Sequence, residues 1–95
     1  MKTISVVIPV YNEEKGFKKF YAEMLEPQLK KLKYNYEVLL VNDGSKDKTL
    51  DIIQKMAEKD AHIKVVAFSR NFGKEAAMYA GMEKAKGGLS IPGLF

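Results

Sequence analysis

The 95-residue sequence contains no cysteine, which excludes disulfide staples, thiolate catalysis and cysteine-ligated metals and leaves stability to the core and the helix caps. Histidine occurs once, at position 62, so no second imidazole exists to share a metal. No apolar stretch approaches the roughly 20 residues that a bilayer-spanning helix needs, so no membrane crossing is expected. The first ten residues carry one positive charge and an apolar run, but Pro9 and the polar Tyr11-Asn12-Glu13-Glu14 stand where a signal peptide would continue. That run reads as a strand. Acidic residues are outnumbered: 12 Asp and Glu against 16 Lys and Arg give a net charge of +4. A weak preference for anionic partners follows, without separating nucleic acid, nucleotide and membrane surface. What is present, 46% hydrophobic and 29% charged residues, is the composition of one small soluble globular domain.

The chain divides into three strand-then-helix units. Ile4 to Val10 is a nearly continuous β-branched run, the pattern of a strand buried on both faces of a parallel sheet. From Glu14 to about Lys33, Phe17, Phe20, Tyr21, Met24, Leu25, Leu29 and Leu32 recur at helical spacing, and Pro27 is expected to kink or split that helix. Glu37 to Val41 is the second strand, ended by the turn residues Asn42-Asp43-Gly44-Ser45. The next helix turns Leu50, Ile53, Met56 and Ala57 to the core, with Ser45 or Asp47 as its N-cap. Ile63 to Phe68 is the third strand. A last helix from Lys74 to about Lys86 carries the small residues Ala76, Ala77, Ala80 and Gly81, which permit a close approach to the sheet, and Gly87-Gly88 stops it. Residues 89–95 are apolar with Pro and Gly, able to begin a fourth strand but not to complete one. The alternation predicts an α/β fold, a doubly wound parallel sheet with right-handed crossovers.

In such a sheet, ligands bind beyond the carboxyl ends of the strands. All three predicted strand ends are polar: Tyr11-Asn12-Glu13-Glu14, Asn42-Asp43-Gly44-Ser45 and Ser69-Arg70-Asn71-Phe72-Gly73-Lys74. Carboxylates and amides that accept from a base or ribose lie near two cations, Arg70 and Lys74, that suit phosphates, and Tyr11 offers an aromatic face. The established phosphate loops are missing, for neither G-x-x-x-x-G-K-[ST] nor G-x-G-x-x-G occurs. A nucleotide site of another type remains. Taken singly, each residue has a plainer reading: Asp43-Gly44-Ser45 as a turn and cap, Arg70 and Lys74 as a solvated pair, the lysines from 15 to 33 as a solvated helix face.

The three motifs together, Val6 to Glu14, Val38 to Ser45 with Asp47, Thr49 and Leu50, and Phe68 to Ala77 with Gly81, resemble glycosyltransferase family 2 of the GT-A fold. The third is similar to the polyprenyl-phosphate group, which includes bactoprenol glucosyltransferases and dolichol-phosphate mannose synthases. The resemblance implies that residues 1–88 form the Rossmann-like, N-terminal nucleotide-sugar-binding half of a GT-A domain. It assigns Pro9, Tyr11, Asn12 and Glu13 to the nucleoside pocket, Asp43 to the base, and Arg70 and Lys74 to the diphosphate. It further implies inverting transfer of a sugar from a nucleotide diphosphate, a UDP-sugar by preference, to a polyprenyl phosphate at the cytoplasmic face of a membrane, with no nucleic acid involved. It implies, for full-length relatives, Mg2+ or Mn2+ held by a D-x-D pair after the next strand. No two of Asp43, Asp47, Asp51 and Asp60 form D-x-D. The chain is therefore expected to hold no metal and to be a shortened gene product, with 89–95 a tail foreign to the fold. An unfinished sheet and an uncovered helix face predict a homodimer or low stability. Two other readings stand beside this one: a nucleotide-binding fragment without turnover, and a receiver-like signalling domain, although the third strand ends without an acidic phosphoacceptor.

Overall fold

The computed structural model describes residues 3–84 and 89–92. Four parallel strands, β1 (Thr3–Val10), β2 (Asn35–Asn42), β3 (Ile63–Ala67) and β4 (Leu89–Pro92), form one sheet in the order β3-β2-β1-β4. The first two crossovers step from β1 to β2 to β3, and the chain then returns to the opposite side of β1. Strand order thus reverses between β1 and β4, the switch point where the carboxyl ends of an open sheet leave a crevice. The helix stop at Gly87-Gly88 and the last three residues of the 89–95 segment lie outside the described residues.

Alternation along the central strands separates two cores. Ile4, Val6, Ile8 and Val10 of β1 pack with Val38 and Leu40 of β2 against Phe17, Tyr21, Leu29 and Ile53 on one face. Val7, Leu39 and Val41 meet Ala77 on the other. Because both faces are covered, the strands read as apolar runs without polar alternation. The exception is Ser5, fully buried, whose hydroxyl donates to the carboxylate of its register partner Glu37.

The first helical segment departs from the expected single kinked helix. It begins at Phe17 and runs as α1 (Phe17–Phe20), a π-helical turn (Tyr21–Leu25) and α2 (Glu26–Lys30). Its wide turn is closed by the Glu26 N–H bonding the Tyr21 carbonyl, one residue ahead of Pro27, whose missing N–H can extend no ladder. Residues 13–16 form a turn instead of helix, with the Gly16 and Phe17 N–H groups both donating to the Glu13 carbonyl.

On the other face, α4 (Lys74–Lys84) approaches the sheet through Ala77 and Gly81, both buried. A Cβ at Gly81 would stand 2.3 Å from Val7 Cγ1 and 3.0 Å from Val41 Cγ2, and neither valine has room to move, each being fully buried. Alanine gains about 1 kcal/mol of helix propensity over glycine, whereas overpacking a closed contact costs about 1–3 kcal/mol. A Gly81→Ala chain is expected to be about 1 kcal/mol less stable in urea denaturation, the reverse of what propensity alone dictates.

Candidate nucleotide site

Three loops leave the carboxyl ends of β1, β2 and β3, and their polar side chains are spent largely on one another. Asn12 adopts a left-handed backbone, φ 51°, in which its N–H donates to Ser45 Oγ at 3.0 Å and its side-chain oxygen accepts the Lys46 N–H at 2.9 Å. The Glu13 N–H donates to Thr49 Oγ1 at 2.8 Å, and the Glu14 N–H reaches Asp47 Oδ2 at 3.3 Å. These bonds fasten the first loop to the second.

They also change the capping of α3 (Thr49–Lys59). Neither Ser45 nor Asp47 is its N-cap; that position is Lys48. Ser45 is occupied by Asn12, and Asp47 acts from one residue further out, its Oδ1 accepting the Thr49 N–H at 2.9 Å and also the Thr49 hydroxyl. Partial burial works against ionisation of Asp47, but the Thr49 hydroxyl and N–H and the Glu14 N–H outweigh it and hold the carboxyl below the usual carboxylate range.

The second and third loops meet through Asp43, which is 3% exposed. Its Oδ1 accepts the Phe72 N–H at 2.8 Å, and its Oδ2 accepts the Gly73 N–H at 3.0 Å and the Asn71 side-chain amide at 3.1 Å. The same amide donates to the Asp43 carbonyl at 3.1 Å. A single carboxylate therefore shapes the turn that delivers Lys74 to the first position of α4.

Inside this frame lies a cavity of about 150 Å³ lined by Pro9, Val10, Tyr11, Glu13, Asp43 and Lys74. Five of the seven residues singled out from the sequence share it. The other two stand apart: Asn12 is the staple between loops, and Arg70 is exposed with its guanidinium 4.6 Å above the Phe72 ring, which packs edge-on against Phe68. Ser45, Asp47, Thr49 and Asn71, to which the sequence reading gave no part in the site, do not line the cavity but fasten the loops around it. Whole small-molecule sites occupy about 300–1,000 Å³, so a cavity of this size takes a base or a ribose and not an entire nucleotide sugar. Among the described residues, no three His, Cys, Asp or Glu side chains are grouped so as to hold a metal ion. The residues present do not fit Mg2+ or Mn2+, whose usual partners are several free oxygens.

A family model, Glycosyl transferase family 2, matches residues 5–91. The chain belongs to glycosyltransferase family 2. That membership replaces the receiver-like reading. Curated relatives include an uncharacterised glycosyltransferase of Synechocystis, 48% identical over 89 residues, and the bactoprenol glucosyl transferase of Shigella phage SfV, 45% identical over 89 residues. Each alignment takes in 94% of this chain but only 28% and 29% of the relative, so the chain spans less than a third of the length of the proteins it matches. Among solved structures, residues 1–349 of Staphylococcus aureus TarS in complex with UDP superpose with a TM-score of 0.69 at 32% identity over 97% of this chain and 27% of that TarS portion. The mannosyltransferase PcManGT of Pyrobaculum calidifontis, solved with GDP-Man and Mn2+, gives 0.69 at 22% identity over 92% of this chain and 25% of its own, a likeness of fold. The sheet is thus the GT-A arrangement expected of the family. No helix among the described residues is long and apolar enough to cross a membrane.

Proposed function

We propose that this chain is the nucleoside-binding part of the donor site of a family 2 glycosyltransferase, and that the activity it serves moves a sugar from a nucleotide diphosphate to a polyprenyl phosphate with inversion. The observation that carries the reading is the cavity at the switch point, where Pro9, Tyr11, Glu13, Asp43 and Lys74 come together. In this reading Tyr11, 41% exposed, lies against the base. Glu13 accepts from the ribose hydroxyls, and Asp43 has acceptor capacity left on Oδ1, which holds one N–H, for a base N–H. Lys74 opens α4, so its ammonium and the positive end of the helix both face an approaching diphosphate. Arg70, parted from the cavity by its stacking on Phe72, would join the phosphates only by leaving that ring.

A UDP-sugar is favoured as donor, in keeping with the UDP carried by TarS, and the lipid phosphate acceptor rests on the names of the bactoprenol relatives. An acceptor that is already an anion makes little demand for a general base, so the barrier answers mainly to positioning and to stabilising the leaving diphosphate. The cation that would do the latter finds no donor set on these residues. Such a reaction belongs at the cytoplasmic face of a membrane, where a lipid phosphate meets a soluble nucleotide sugar.

Isothermal titration tests this directly. Uridine and UDP are expected to bind weakly, with equal affinity in the presence and absence of manganese, and Lys74→Ala is expected to weaken UDP about threefold to tenfold, the value of one exposed charge-assisted contact, while leaving uridine unchanged. Tight binding that appears only with manganese, or no nucleoside binding at all, overturns the reading.

A further inference from the structure

A second and larger cavity, about 490 Å³, lies at the opposite end of the sheet, beside Tyr36 near the start of β2 and His62 just before β3. It falls within the volume range of small-molecule sites, whereas the nucleoside cavity does not. The π-helical turn sends Tyr21 into its wall. Tyr21 is 3% exposed, and its buried hydroxyl has no hydrogen-bond partner among the described residues. Buried hydroxyls are nearly always partnered, and one that is not marks a place where a partner is missing. Burial, followed by the negative charge of Asp60 and the neighbouring Tyr36 and Glu26, pushes this phenol above its ordinary pKa, so it stays a proton donor at neutral pH. A ligand that carries an acceptor to this hydroxyl supplies the missing partner.

The remaining lining narrows the class. Tyr36 and His62, both in the lining, stack with centroids 4.1 Å apart and planes 10° from parallel, so the pair presents ring edges or one outer ring face to a ligand. Lys18, Lys30 and Lys59 face the same space against the two acids Glu26 and Asp60. Asp60 is already engaged: its Oδ1 accepts the His62 N–H at 2.9 Å and lies 2.9 Å from His62 Nδ1. Counting lysines and acids alone, the lining carries three positive charges against two negative, a small cationic excess.

We propose that this cavity binds a small aromatic acid, its ring against the Tyr36–His62 stack, its acidic group accepting a hydrogen bond from the Tyr21 hydroxyl and drawing on Lys18, Lys30 and Lys59. The site is independent of the nucleoside cavity and shares no residue with it.

Phenyl phosphate titrated into the 15N-labelled 95-residue chain is the test. Backbone amide shifts are expected at residues 18–26, 36 and 60–63 and not at 9–14 or 43–45, with inorganic phosphate at least fivefold weaker. Tyr21→Phe is expected to weaken phenyl phosphate at least fivefold while the Tm holds or rises, because the substitution removes an unpartnered hydroxyl and no contact. The proposal falls if phenyl phosphate leaves these residues unmoved, if inorganic phosphate binds as well as the aromatic acid, or if Tyr21→Phe binds like the parent.

Discussion

An Asp43→Ala chain is expected to lose about 3–5 kcal/mol of stability, and its uridine binding with it. Hydrogen bonds to a charged partner contribute about 1.5–3 kcal/mol each, and stranding buried donors costs more than the bonds were worth. Alanine would strand three: the N–H groups of Phe72 and Gly73 and the side-chain amide of Asn71. With the carboxylate 3% exposed, water does not replace it without the loop opening. The values do not add in full, since the three donors sit on consecutive residues and relax together, which keeps the expectation well under their sum. Asp43→Asn keeps one acceptor oxygen and turns an NH2 toward a remaining donor, so about half the loss is expected. Urea denaturation followed by circular dichroism reads both. An alanine variant within 1 kcal/mol of the parent would mean that the third loop holds its shape without Asp43.

The role of Asp43 also shows where sequence reading stops. Its place at a strand end was legible, because β2 ends in Asn-Asp-Gly-Ser and the sheet type dictates where that end points. The two central strands, β1 and β2, were legible for the same kind of reason: Ile4 to Val10, for one, is apolar at odd and even positions alike, which burial on both faces explains. What stayed hidden were partners far away in sequence. Asn12 carried the types of a ligand, yet its two bonds run to residues 33 and 34 positions downstream. Ser45 had the right chemistry to cap a helix locally, but Asn12 claims its oxygen; Asp47 does hold the Thr49 N–H, from one residue outside the N-cap, while its other oxygen takes the distant Glu14 N–H. Pro27 announced a break in the first helix without revealing that the ladder would widen before it, at Tyr21 to Leu25. The cavity beside Tyr21 had no signature at all, since its lining comes from the first helical segment, α3 and the starts of β2 and β3.

Gly44→Ala should be as damaging as the loss of Asp43, for a steric reason acting on the same loop. Gly44 holds φ at +69°, a left-handed conformation that costs an alanine about 1–2 kcal/mol. The larger obstacle is space: an added Cβ would lie 2.1 Å from the Arg70 carbonyl carbon, 2.3 Å from the Asn71 nitrogen and 2.6 Å from the Arg70 Cα. All three are backbone atoms, so no side chain can swing aside, and the third loop must withdraw. Withdrawal pulls the Phe72 and Gly73 N–H groups off Asp43, adding their loss to an overpacking cost of about 1–3 kcal/mol. The expected total is about 3–5 kcal/mol. Because both substitutions release the same turn, the double variant Asp43→Ala/Gly44→Ala should cost little more than the worse single change, an interaction of at least about 2 kcal/mol in a double-mutant cycle. Gly16→Ala is the control, with φ at −128° and nothing within 4 Å of its Cβ, and should be near neutral. If Gly44→Ala and Gly16→Ala melt alike, the close approach of the second and third loops is not what holds the nucleoside cavity in shape; if only Gly44→Ala fails, and fails non-additively with Asp43→Ala, the two residues are one device.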